Sequence, residues 1–113
     1  MDLLSKSAGA AFKPADEYIK QLRNAAGMEQ TRRFAEARQL YLAAAKAKPG
    51  DAAALDGAAR MAAVAGDHRA GVEYLRAAIA ANPERETLHD RLAGALLNAG
   101  DFAEAEEQTQ AVL

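Results

Sequence analysis

Apolar side chains recur along this chain at helical spacing. Val72, Leu75, Ala78 and Ile79 share one face of a helix, and Leu88, Leu92, Leu96 and Ala99 share one face of another. The boundaries are marked as well. Asp51 is placed to cap a helix running through Arg60 to Ala65, Gly66 ends that helix in the left-handed conformation that glycine adopts freely, and Asp67 caps the next. Asn82-Pro83 stops the following helix, since proline lacks an N–H and biases its predecessor away from helical geometry. The same signals return at a step of 34 residues: Pro49 to Pro83, Phe34 to His68 to Phe102, Ala37 to Gly71 to Ala105, and Gly66 to Gly100. A fixed period of this size marks a stack of repeats. The units fall at 18–51, 52–85 and 86–113, each read as two helices. In the first unit Arg32 stands where the others have glycine, so its turn is expected to be the least regular.

Composition narrows the fold class without changing this picture. Of 113 residues 31 are Ala, against 26 larger apolar residues, and only eight are β-branched, which argues against strands and for closely packed helices. A chain of this length holds one domain. Cysteine is absent, which removes disulfides and thiolate chemistry, and the net charge of −2 gives no global basic footprint for nucleic acid. No apolar run is long enough to cross a bilayer, and Met1-Asp2-Leu3-Leu4-Ser5-Lys6 lacks the pattern of a secretory signal. The expected location is therefore the cytoplasm, or the periplasm if the chain is a piece of a longer protein.

The repeat positions resemble those of the tetratricopeptide repeat family. The resemblance rests on a small residue midway along each first helix (Ala25, Ala59, Ala93), glycine at the turn (Gly66, Gly100) and an aromatic after it (Phe34, Phe102). It continues with Ala three residues on (Ala37, Ala105), a large residue later (Tyr41, Leu75), Ala in the last turn (Ala44, Ala78) and the closing Pro49 and Pro83. His68, Gly71 and Thr109 depart from it. It implies an all-α fold, a right-handed superhelical stack of antiparallel helix pairs. It also implies a concave groove lined by the first helices, at Ile19, Leu22, Ala26, Asp56, Arg60, Asp90, Arg91 and Leu97, which would take a peptide or protein surface. The family's carboxylate-holding set falls on Leu22, Ala26, Gly57, Thr87 and Arg91, of which Arg91 alone matches, so binding of chaperone tails is not expected. The four groove charges are equally consistent with pairs on a wet surface, each worth about 0–1 kcal/mol. The alanine-rich, cysteine-free composition looks bacterial.

Both ends call for cover. Residues 1–14 read as a capping helix, the second helix of a degenerate preceding unit, with Leu3 and Leu4 on its apolar side. The last helix presents Phe102, Ala105, Val112 and Leu113 on faces that a further helix would cover. Residues 1–50 carry nine bases and five acids (+4), and residues 51–113 carry five bases and eleven acids (−6). Self-association through Leu3, Leu4, Phe102, Val112 and Leu113 is the expected consequence.

Catalytic chemistry finds little support. His68 and His89 do not have metal-ligand spacing and read as structural, and the acids Asp101, Glu104, Glu106 and Glu107 suit the start of a helix. No phosphate-binding glycine motif occurs, so neither enzyme activity nor a cofactor is expected. Lys20, Arg23, Arg32, Arg33 and Arg38 form a basic cluster with little aromatic interleaving, so nucleic acid is not the expected partner. The expected function is a non-catalytic protein-interaction module. The alternatives are the helical-repeat portion of a larger enzyme, recruiting substrate or mediating dimerisation, and a small secretion chaperone. Far-ultraviolet circular dichroism should show a predominantly helical chain, and substantial strand signal would reject the repeat assignment.

Overall fold

The structure, a computed structural model, describes residues 14–112, with side chains described for 16–110. Six helices follow one another: α1 (Pro14–Gln30), α2 (Phe34–Ala47), α3 (Ala52–Val64), α4 (His68–Ala81), α5 (Glu86–Ala99) and α6 (Phe102–Val112). No strand occurs among the described residues, and each helix packs against its neighbours in the chain, with α3 also touching α5. The capping helix expected before residue 14 lies outside the described residues. Pro14 is the first residue of α1, a position where the missing N–H has no helical partner to lose.

Local chemistry sets most boundaries as the sequence predicts. The Asp51 carboxylate accepts from the Ala54 N–H at 2.9 Å, and that of Asp67 accepts from Ala70 at 3.3 Å. Gly66 and Gly100 take the left-handed conformation at φ of 79° and 89°. The turn at Arg32 corrects the expectation. Arg32 adopts the same conformation, φ 63°, and all three turns close alike. Arg33 N–H donates to Met28 C=O, Asp67 N–H to Ala62 C=O and Asp101 N–H to Leu96 C=O, each at 2.8 Å. Arginine costs about 1–2 kcal/mol there relative to glycine. The reversal between packed helices imposes the geometry and overrides the residue's preference.

The core follows the 34-residue register. Ala25, Ala59 and Ala93 are buried at one set of equivalent positions, Ala37, Gly71 and Ala105 at a second, Tyr41 and Leu75 at a third, and Ala44 and Ala78 at a fourth. One apolar cluster joins α1, α2 and α3 through Ala25, Ala37, Tyr41, Ala58 and Met61. Another joins α3 to α6 through Leu55, Leu75, Leu88, Leu92, Leu96 and Ala105. Ala105, expected on the open face of the last helix, is instead 2% exposed, because its register position is the crossing inside its own helix pair. Phe102 is 67% exposed, as expected; Leu3, Leu4 and Leu113, and the side chain of Val112, lie outside the described residues.

Neighbouring helices approach so closely that single carbons matter. A Cβ on Gly57 would lie 2.5 Å from the Tyr41 ring, whereas one on Gly71 would meet only the Ala59 carbonyl at 3.6 Å. Gly57→Ala should therefore destabilise the protein by roughly 1–3 kcal/mol through overpacking. Gly71→Ala should stabilise it by roughly 0.4–1 kcal/mol by restricting the unfolded chain. Urea unfolding of the two variants checks this, and changes of equal sign would contradict the geometry.

Candidate functional site: a groove between α3 and α5

α3 and α5 run side by side over α4 and leave a depression of about 520 Å³ between them. Asp56, Ala59, Arg60 and Ala63 line it from α3; Thr87, Asp90, Arg91, Gly94, Ala95 and Asn98 line it from α5; His68, Gly71 and Leu75 of α4 form its floor. Spacings of three and four residues put each set on one helix face. Small residues at 59, 63, 94 and 95 keep the walls low, and charged side chains form the rim.

Those charges belong to a chain of contacts that crosses four helices. Arg60 donates to Asp56 at 2.8 Å on its own helix, to Glu29 of α1 at 3.0 Å and to the Tyr41 hydroxyl of α2 at 3.3 Å. Tyr41 in turn donates to Glu29 at 2.6 Å. On the other side, Arg91 Nε of α5 lies 3.0 Å from Asp56 Oδ1. Burial pushes the Glu29 carboxyl up, but the hydrogen bonds from Tyr41 and Arg60 outweigh it and hold the group below the usual carboxylate range. Burial, then the bond to Glu29, pushes Tyr41 to about 12. Partial burial works against the Arg60 charge, yet Glu29 and Asp56 raise its pKa further. Arg60 is thus held by its neighbours and is more than one partner of a loose surface pair.

Two polar atoms on the lining residues remain without a hydrogen bond. Asp56 Oδ1 is buried and, although close to Arg91, is not aligned with an N–H; His68 Nδ1 is likewise buried and unpartnered. Either could meet a ligand group, Asp56 as an acceptor and His68 as donor or acceptor according to its tautomer.

Of the residues expected in a groove, Asp56, Arg60, Asp90 and Arg91 come together here. Ile19, Leu22, Ala26 and Leu97 do not line it. Leu22 packs against the Ala25–Tyr41 cluster, Ala26 is exposed on α1, and Ile19 and Leu97 are 49% and 52% exposed elsewhere. His68, Gly71 and Asn98 line the groove without having been singled out for it. The available signal was that His68 and Gly71 both depart from the repeat pattern within one helical turn. His89 takes a structural place, with Nδ1 2.9 Å from Gln108 Oε1 and Nε2 3.2 Å from the Pro83 carbonyl, and these acceptors raise its pKa.

A second depression, of about 460 Å³, lies among Phe34, Leu42, Met61, Val64 and Tyr74. Arg38 lines it too, stacked 5.5 Å from the Tyr74 ring centre and paired with Asp67 at 3.0 Å. Among the described residues no group of three His, Cys, Asp or Glu side chains is placed to hold a metal ion, and no helix is long and apolar enough to cross a membrane. Comparison with protein-family models and with curated proteins finds no match to the chain.

The Glu29 contacts make stability depend on pH. A carboxyl depressed on folding contributes fully above its ordinary value, 4.5, and loses that contribution as pH falls through the lower folded value. The melting temperature should therefore drop on acidification below 4.5, and Glu29→Gln should flatten that drop. Parallel curves for parent and variant would place the acid sensitivity elsewhere.

Proposed function

We propose that this chain is a tetratricopeptide-like, non-catalytic interaction module that takes an extended segment of a partner protein along the groove between α3 and α5. The observation that carries this reading is the groove's composition. Its floor is apolar at Leu75 and open at Gly71, its walls are small, and its rim holds charges of both signs. Such a surface offers apolar contact for affinity and a few fixed polar groups for register. Asp56 Oδ1 supplies a buried acceptor of the kind that a peptide N–H would satisfy. The repeat register of turns, caps and core residues supports the right-handed superhelical stack that the resemblance implies. The long arms of Arg60 and Glu29 tie α1 to α3, so the wall that holds Asp56 is pre-set before a ligand arrives.

A displayed library of random peptides tests the reading. Selected peptides should lose affinity roughly tenfold or more, about 1.4 kcal/mol, when Gly94→Leu fills the groove or Asp90→Lys reverses a rim charge. Gly94 has open space around its missing Cβ, and Asp90 is exposed with no ion-pair partner among the described residues, so both variants should keep the parent's melting temperature within a few degrees. Arg60→Glu is the wrong variant for this purpose, because it would set an acid against both Glu29 and Asp56. Unchanged affinity in both folded variants, or no peptide selected at all, would overturn the proposal.

A further inference from the structure

The two ends of the described stack become complementary when the 34-residue register is carried past them. Four ion pairs join one helix pair to the next. Carried past the ends, Arg60–Glu29 falls on Ala26 and Leu97 and Arg76–Glu104 on Gln110 and Glu36, so neither returns as an ion pair, but the other two do. Arg38 of α2 meets Asp67 at the start of α4 at 3.0 Å, and Asp56 of α3 meets Arg91 of α5 at 3.0 Å. Both can be moved along the register to a junction in which α1 of a second copy follows α6 of the first. Adding 68 to 38 gives Glu106, and subtracting 34 from 67 gives Arg33. Adding 34 to 56 gives Asp90, and subtracting 68 from 91 gives Arg23. The first pair returns with its signs exchanged and the second returns unchanged. Each therefore sets an acid at the α6 end against a base at the α1 end.

The four residues are exposed and available for such contacts. Arg23, Asp90 and Glu106 have no ion-pair partner among the described residues, and Arg33 has only an exposed contact with Glu36 at 3.9 Å. Sizes match as well. Gly57 leaves room for the Tyr41 ring where a Cβ would clash; at the equivalent place across the new junction, Arg23 would face the smaller Thr109. Phe34 borders the second depression together with Met61, Val64 and Ala65 at the end of α3. Phe102, its equivalent and 67% exposed, would find Gly27, Gln30 and Thr31 of the second copy in their places. Lys20 and Asn24 stand where Ala54 and Ala58 are buried between units, so the joint is polar and depends on charge.

We propose that copies of this chain stack head to tail, the α6 end of one against α1 of the next, with Asp90 meeting the partner's Arg23 and Glu106 meeting the partner's Arg33. The contact is heterologous, so two copies joined this way leave one end of each kind open.

Sedimentation velocity of the full chain at about 0.01 M and about 0.15 M salt tests this, because exposed pairs are screened at the higher value. Association is expected at low salt and should weaken at the higher. Arg23→Glu with Arg33→Glu makes both ends acidic, and Asp90→Arg with Glu106→Arg makes both ends basic. Each double variant alone should associate at least roughly tenfold more weakly than the parent. An equimolar mixture of the two should recover association, and so should the chain carrying all four substitutions. Circular dichroism confirms that each variant is folded. A parent that stays monomeric at low salt would overturn the proposal. Association indifferent to all four charges would place the contact elsewhere and overturn it equally.

Discussion

Close approach between helix backbones is the constraint on which the rest of this structure depends. Eleven of the nineteen buried core residues described are alanines, and seven of them recur at equivalent register positions, Ala25 with Ala59 and Ala93, Ala37 with Ala105, and Ala44 with Ala78. Alanine orders at little entropic cost and lets backbones approach, but it buries little area. Apolar stabilisation therefore falls on a few larger side chains, Tyr41, Leu55, Met61, Leu75, Leu88, Leu92 and Leu96, each worth about 1.5–3 kcal/mol when buried. With so thin a core, a single carbon in the wrong place, as at Gly57 beneath Tyr41, is a large perturbation.

α3 holds the two apolar clusters together. Ala58 and Met61 face the α1–α2 side, while Leu55 and Ala59 face the α4–α6 side, so the helix is buried on most of its circumference. It also carries Asp56 and Arg60. The charged wall of the groove is thus mounted on a helix fixed from both sides, and Arg60 is fixed again by Glu29 and the Tyr41 hydroxyl. Groups positioned in this way have little rotamer freedom left to lose on binding a ligand.

Helices, caps and the left-handed turns at Gly66 and Gly100 were legible in the sequence because each depends on residues within a few positions of one another. The Arg32 turn is not legible in the sequence because its conformation is set by the packing of α1 on α2 and not by the residue at the bend. The burial of Ala105 is not legible for a related reason: helical periodicity gives faces, but which face meets the partner helix of its own pair and which meets the next pair is a tertiary fact. In the groove, the charged residues of α3 and α5 were legible through the resemblance. Leu22 was not, since a leucine in a position that could face a groove gains more by packing against Tyr41 and its neighbours. His68 and Gly71 were visible only as irregularities.

Those irregularities explain why the groove lies between the second and third helix pairs. Moving its floor back by 34 residues turns His68 into Phe34, Gly71 into Ala37 and Leu75 into Tyr41. The Tyr41 ring lies against Gly57 of α3, and its hydroxyl reaches Glu29 of α1 and Arg60 of α3, so between the first and second pairs the corresponding space is crossed by a large side chain. Each of the three replacements removes volume from the floor. At the same time Arg91 takes the register place of Gly57; with leucine instead of tyrosine below it, an arginine fits there and reaches across to Asp56. One position in the repeat thus seats an aromatic ring at one junction and a charged rim at the next. Nearest-neighbour stacking permits this, because each junction depends on its own residues and can be altered without disturbing the others.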